Sequence, residues 1–383
     1  MNASPFDFDA PPDRRQGDSL KWGRYADRDV LPMWVADMDF AAPPPVLAAL
    51  HARIDHGVLG YGQPWPSLTQ AVLTHLQRQY DWNVEPDWLV WLPGLVSGLN
   101  VACRAVGAEN DGVFTATPIY PPFLSAPRHS GRRPVTAPLT LDEGVWCWDF
   151  AAAEAVLRHE PARLLLLCHP HNPVGRAWRD EELRQVAQLA ERHDLIVCSD
   201  EIHCDLILDP GRRHRPFATL GPALAERTIT LMAPSKTFNI PGLGCAFAVI
   251  PGARLRRSFH AAMQGIVPHV NTLGLVGCEA ALRHGGPWRT ALLDYLRGNA
   301  ARVAAAVANM PGLAMTPVEA TYLAWIDCRA AGIAQPGQFF EAAGVGLSDG
   351  AEFGAPGFVR MNFGCSRATL DAALARMAHA LRV

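Results

Sequence analysis

The sequence predicts an α/β fold: a large domain with a mainly parallel central sheet, followed by a smaller α+β domain. Three observations carry that prediction. Short runs such as "RLLLLCHP" (163–170) and "TITLMAP" (228–234) are apolar throughout rather than alternating, as in strands covered on both faces of a sheet. These runs alternate with longer stretches of helical period, the pattern of strand–helix–strand units. From about residue 285 the pattern changes to long Ala/Arg-rich helices with short strand-like pieces between them.

Taken in order, the proline-rich opening reads as extended chain. A helix-period stretch, "SLTQAVLTHLQRQY" (67–80), precedes the strand "WLVWL" (88–92), and "LVSGLNVACRAVG" (95–107) returns to helical period. The strand "GVFTAT" (112–117) follows, then "RLLLLCHP", the helix "RDEELRQVAQLAERH" (179–193) and the strand "DLIVCSD" (194–200). "TITLMAP" and "CAFAVI" (245–250) complete the set of buried strands. The later helices are "WRTALLDYLRGNAARVAAAVANM" (288–310) and "TLDAALARMAHAL" (369–381), with "ATYLAWIDC" (320–328) and "FVRMNFG" (358–364) as strands between them. The expected division is an N-terminal segment, 1–45, that joins the small domain and the active site, a large domain, 46–284, and a small C-terminal α+β domain, 285–383.

Composition narrows the function classes. With 383 residues, 49% hydrophobic and 19% charged, the chain has the make-up of a water-soluble protein with a sizeable core. The net charge of −3 and the absence of any basic block beyond "GRRHR" (211–215) argue against a nucleic-acid partner. No run of 18 apolar residues occurs and the opening lacks the apolar core of a signal peptide, so a cytoplasmic protein that does not enter a membrane is expected. Nine cysteines, scattered through apolar segments, read as reduced and mostly buried thiols, with Cys103, Cys245 and Cys278 in the core.

The polar residues follow the strands. In open parallel sheets ligands collect outside the carboxyl ends of the strands. There the sequence places "HPHNPVG", "SDEIHCD" and "APSKTFN", which bring Asn172, Asp200 and Lys236 towards one crevice. A lysine amine forms a Schiff base with an aldehyde cofactor. Pyridoxal 5'-phosphate then needs a carboxylate against its ring nitrogen, so that the protonated ring can act as an electron sink. An amide can donate to the ring's phenolic oxygen. A helix N-terminus in "PGLVSGLN" (93–100) offers the Leu95 and Val96 amides to a phosphate.

Together these stretches carry a resemblance. "PMWVADMDF" (32–40), "GYGQP" (60–64), "TPIYPPF" (117–123), "HPHNPVGRAW" (169–178), "SDEIHCDLIL" (199–208), "APSKTFNIPGLG" (233–244), "EATYLAWID" (319–327) and "VRMNFGCSR" (359–367) span nearly the whole chain. In that order and spacing the chain resembles a fold-type I pyridoxal-phosphate enzyme of the class I/II aminotransferase superfamily. More narrowly it resembles the MalY/PatB group of cystathionine β-lyases. The resemblance implies that Lys236 binds the cofactor and moves the Cα proton, that Asp200 pairs with the pyridinium and that Asn172 binds the phenolic oxygen. It implies that His203 takes a place where many aminotransferases carry a tyrosine, and that Tyr120 stacks on the ring. It implies further that Tyr61 reaches the phosphate from the neighbouring subunit of a homodimer with shared active sites, and that Arg360 clamps the substrate carboxylate. Two positions depart from the pattern. Ala233 stands where many relatives have serine, with Ser235 as a substitute phosphate ligand, and Gly244 stands where many aminotransferases have arginine.

Plainer readings apply to several of these residues. Asp200, His203, Cys204 and Asp205 have no second ligand motif nearby, so no metal is expected. Glu201 and the histidines of "CHPH" (168–171) read as structural. The expected activity is elimination of a thiol from L-cystathionine or a related cysteine S-conjugate, giving pyruvate and ammonia. The same residues serve a class I/II aminotransferase. A regulatory role through protein binding is the third reading, and no surface in the sequence marks it.

Overall fold

The computed structural model describes residues 6–382. An eight-stranded sheet forms its centre, built from β1 (Leu89–Leu92), β2 (Gly112–Thr117), β3 (Arg133–Asp142), β4 (Val145–Trp148), β5 (Ala162–Cys168), β6 (Ile196–Asp200), β7 (Thr228–Met232) and β8 (Ala246–Val249). In space the order is β1-β8-β7-β6-β5-β2-β3-β4. Strands β7, β6, β5, β2 and β3 run parallel, while β8 is antiparallel to both β7 and β1, and β4 is antiparallel to β3. Because β8 reverses twice, β1 points the same way as β7. The carboxyl ends of β1, β7, β6, β5 and β2 therefore share one edge.

The inner strands owe their place to composition. β5, β6 and β7 are buried along almost their whole length because "LLLLC", "VCSD" and "TITLM" offer apolar or small side chains to both faces. The hairpin β3–β4 departs from the sequence reading, which assigned nothing there. Its two prolines, Pro134 and Pro138, argue against a central strand, and the alternating burial of β3 is that of a strand with one face in solvent. Glu143 and Gly144, both at positive φ, make the tight turn between the two strands. The helices Pro44–Asp55 and Thr272–His284 are two more elements the pattern did not reveal.

A second sheet of four strands follows: β9 (Ala314–Met315), β10 (Leu323–Asp327), β11 (Ser348–Asp349) and β12 (Phe358–Asn362), in the order β9-β10-β12-β11 and antiparallel throughout. The helices Gly286–Val307 and Arg367–Ala380 pack on it. Phe8, Met33, Met38 and Phe40 from the beginning of the chain enter this same core, and Leu31–Pro32 pairs in parallel with Val345–Gly346. Among the described residues no helix is long and apolar enough to cross a membrane.

Candidate active site

Three adjacent parallel strands deliver three of the predicted side chains. Asn172 follows β5, Asp200 ends β6 and Lys236 follows β7, and all three line one cavity of about 350 Å³. That volume suits a small cofactor with part of a substrate. The same cavity is lined by Tyr120 beyond β2 and by Leu95 and Val96 beyond β1. From the second sheet comes Arg360 on β12. His203 and Ser235 complete the predicted residues found on its wall.

Each side chain is fixed by its neighbours. The backbone N–H of Tyr120 donates to the Asn172 carbonyl (3.2 Å), which ties the aromatic residue to the amide. His171 bonds through Nε2 to the Pro118 carbonyl (2.8 Å) and so braces the turn that carries Tyr120. Arg360 is buried and donates to Asn172 Oδ1 (3.0 Å), to the Trp34 carbonyl (2.8 Å) and to Ser348 Oγ (3.3 Å), while its Nε has no partner among the described residues. With Oδ1 engaged, the amide of Asn172 keeps its NH₂ for a ligand in the cavity.

Burial sets the charges. It pushes the Asp200 carboxyl up to about 7, against the pull of the Ile202 backbone N–H (3.1 Å) and the Lys236 charge. Burial lowers Lys236 to about 8, with Asp37 and Asp200 working the other way and Arg360 in the same direction. The Lys236 amine donates to the Ala36 carbonyl. His203 is lowered to about 3 by burial and by the nearby cations, so it is a neutral imidazole whose Nδ1 has no partner among the described residues.

These features fit the cofactor implied by the residue set. A buried carboxyl that is costly to ionise alone is stabilised by a pyridinium, and an orphaned imidazole nitrogen beside it lacks only a ligand. The helix Leu95–Ala105 has no side-chain cap, so its first-turn N–H groups are open to an anion. Gly244 also finds its reason here. Its φ of 58° lies in the left-handed region, and a Cβ would approach the Pro93 carbonyl to 3.2 Å, so an arginine is poorly tolerated there.

Other predicted residues sit elsewhere. Tyr61 is fully exposed at 109% and lies outside the cavity of its own chain. Glu201 is buried behind the site, where it accepts from Ser199 Oγ (2.8 Å) and the Phe217 N–H (2.9 Å) and meets His214 Nε2 at 2.6 Å. Asp205 turns away to His75, Tyr80 and Arg289, and His169 Nε2 bonds to the Arg215 carbonyl. The stretch 200–205 thus divides between the cavity and two separate networks behind it.

The strap Trp34–Met38 entered the sequence reading only as part of a resemblance, with no role assigned to it. Its carbonyls accept from Arg360 and Ser348 at Trp34, Asn362 at Val35, Lys236 and Tyr322 at Ala36, Asn362 and Lys21 at Asp37, and Asn239 and Arg14 at Met38. The run of small and polar residues in "WVADMD" was the available signal, but a backbone that works through its carbonyls leaves little trace in side-chain identity. Glu352 and Phe353, also on the cavity wall, were missed for a related reason: they lie in a short turn with no motif.

Comparison with known proteins places these residues in a wider set. The family described as aminotransferase class I and II matches residues 28–377. Cystathionine beta-lyase PatB of Bacillus subtilis (strain 168) is 36% identical over 98% of this chain and 100% of its own length. The crystal structure of OvoB superposes with a TM-score of 0.96 at 48% identity, covering 98% of this chain and 99% of that one. Cystalysin from Treponema denticola, a structure that contains pyridoxal 5'-phosphate, gives a TM-score of 0.94 at 32% identity over 98% and 99% of the two chains.

Proposed function

The chain belongs to the class I and II aminotransferase family, and within it we propose a pyridoxal-phosphate-dependent carbon–sulfur β-lyase of the MalY/PatB type. Its reaction converts L-cystathionine or a related cysteine S-conjugate and water into a thiol, pyruvate and ammonia. One observation carries the cofactor chemistry: three neighbouring strand ends set an amine, a carboxyl and an amide around a single cavity, with a guanidinium facing them from the other sheet, and the likeness to PatB favours the lyase over the transferase.

Bound there, pyridoxal phosphate supplies an aldehyde for amine capture and a protonated ring that takes up the electron pair left when the Cα proton departs. Lys236 holds the cofactor at rest. The Lys236 amine, when free, would take the Cα proton of a bound substrate, a task that its lowered pKa of about 8 suits. Asp200 holds the ring nitrogen protonated, and Asn172 and His203 flank the phenolic oxygen. Tyr120 supports the ring face. Arg360 binds the α-carboxylate with Nε and the guanidinium edge beside it. Leu95 and Val96 N–H groups and Ser235 take the phosphate.

Tyr61 acts across a homodimer interface. Support comes from Leu47, Ile54, Val58, Leu59 and Tyr61, large apolar side chains close together in the chain that are all exposed, as at association surfaces. The domain division at 45 and 284 belongs to the same proposal and is supported by the two separate sheets. A cytoplasmic location also belongs to it.

Three experiments test the reading. Wild-type holoenzyme is expected to release pyruvate from L-cystathionine with no added 2-oxoacid; strict dependence on that acceptor would make the chain an aminotransferase instead. Lys236→Ala is expected to lose the visible absorbance of the covalently held cofactor. Asp200→Ala is expected to keep the absorbance yet lose turnover by at least ~100-fold, as for removal of a group that stabilises developing charge. An unchanged kcat in Asp200→Ala would overturn its assignment.

A further inference from the structure

Four charged side chains line the cavity: Asp200, Lys236, Arg360 and Glu352. The first three have tasks in the reaction above. Glu352 has none; among the described residues it forms no hydrogen bond or close ion pair, and its carboxylate acts only through its charge, which favours the ionised form of Arg360. It is exposed where Arg360 is buried, so it stands at the mouth while the guanidinium sits deep.

Its backbone is held firmly. Glu352 lies in the tight turn Gly350–Phe353, where Asp349 accepts from the Ala351 N–H (2.9 Å). The Phe353 carbonyl accepts from the Ile119 N–H (3.0 Å), which pins this turn of the second sheet against the turn that carries Tyr120. The Phe353 ring lies under the Arg360 guanidinium, with 4.8 Å between the charge centre and the ring centroid. A substrate held by its carboxylate on Arg360, with its amine towards Lys236, leaves its sulfur substituent to the rest of a cavity whose wall includes Trp34, Phe353 and Glu352. Those walls suit methylene groups and sulfur. The carboxylate at their outer end suits a positive charge.

We propose that Glu352 selects cysteine S-conjugates whose leaving thiol ends in a cationic group, such as an ammonium or guanidinium. The inference rests on the β-lyase reading and adds the charge class of the leaving group. A carboxylate at a wet rim attracts a cation only modestly and is screened by salt, so a preference of roughly two- to fivefold, fading as salt is added, is expected.

The test uses two near-isosteric substrates on the holoenzyme, S-(2-aminoethyl)-L-cysteine, which is cationic at its end, and S-propyl-L-cysteine, which is neutral. For wild type, kcat/KM should favour the cationic conjugate by roughly two- to fivefold at low salt. In Glu352→Gln the ratio should fall close to one, and in Glu352→Lys below one. Taking the ratio within each variant cancels differences in folding and cofactor loading. A wild-type ratio of one or less, or a ratio unchanged in Glu352→Gln, overturns the proposal and leaves Glu352 a solvated surface acid. If wild type makes no pyruvate from either conjugate or from L-cystathionine, the lyase reading fails. The charge preference is then still decided by calorimetric binding of L-lysine against L-norleucine to wild type and Glu352→Gln, where equal affinities in wild type overturn it.

Discussion

Arg360 has its guanidinium committed in three directions, to Asn172, to the Trp34 carbonyl and to Ser348, before any substrate arrives. A lysine in its place has one compact ammonium and cannot span those partners. Arg360→Lys is therefore expected to raise KM by roughly ten- to a hundredfold with a smaller effect on kcat, because it removes binding shared by substrate and transition state; initial-rate kinetics will check this, and an unchanged KM would exclude the clamp. At this scale the sequence was most informative where a side chain is itself the chemical agent. Lys236, Asp200 and Asn172 could be named because an amine, an acid and an amide after three apolar runs point to one chemistry. Trp34–Met38 could not be, since there the peptide groups do the work. Glu352 could not be either, since an exposed acid in a turn reads the same whether or not a cavity lies beside it.

The helix Leu95–Ala105 aims its open N-terminus at the cavity because it lies unusually close to the sheet. At Gly98 a Cβ would come within 3.0 Å of Leu231 and 3.1 Å of Leu92, both buried strand residues. Glycine inside a helix costs roughly 0.5–1 kcal/mol relative to alanine, so close packing accounts for its presence. Gly98→Val is expected to push the helix outward, lowering stability by about 1–3 kcal/mol as overpacking does and weakening cofactor retention together with it. Thermal midpoint and the dissociation constant for pyridoxal phosphate will read both effects; a stable variant with wild-type cofactor affinity would detach the helix from the phosphate. The buried strands were legible because continuous apolar runs of five or so residues have few other uses. The hairpin β3–β4 was not, because prolines that weaken a central strand are harmless in one whose other face is in solvent.

Across the whole molecule, buried imidazoles set the response to acid. Burial lowers His169 to about 3, His171 to about 4 and His203 to about 3, with the nearby His214 adding to the effect on His169. In the unfolded chain each takes a proton near the ordinary histidine value, so between pH 6.5 and about 4 the unfolded state binds more protons and folding stability falls as pH falls. Asp200 acts oppositely: raised to about 7, it holds a proton in the folded state over the same range and gains stability as pH falls. Glu201 and His214, 2.6 Å apart, hold one proton between them folded and one unfolded in this window, so they cancel. Three imidazoles outweigh one carboxyl. The thermal midpoint of the cofactor-free protein is expected to drop between pH 6.5 and 4.5, and His203→Gln to drop less; a midpoint that holds or rises in acid would contradict this balance.

The strap formed by Trp34–Met38 also dictates an order of events in the cell. Its carbonyls are gripped by Lys236 and Asn239 from the middle of the chain and by Tyr322, Ser348, Arg360 and Asn362 from near its end. A ribosome that has translated as far as the lysine has made the vitamin's anchor but not the wall that closes over it. Enclosure of the cofactor therefore waits for the last stretch of translation, and a polypeptide released early emerges with its reactive amine uncovered.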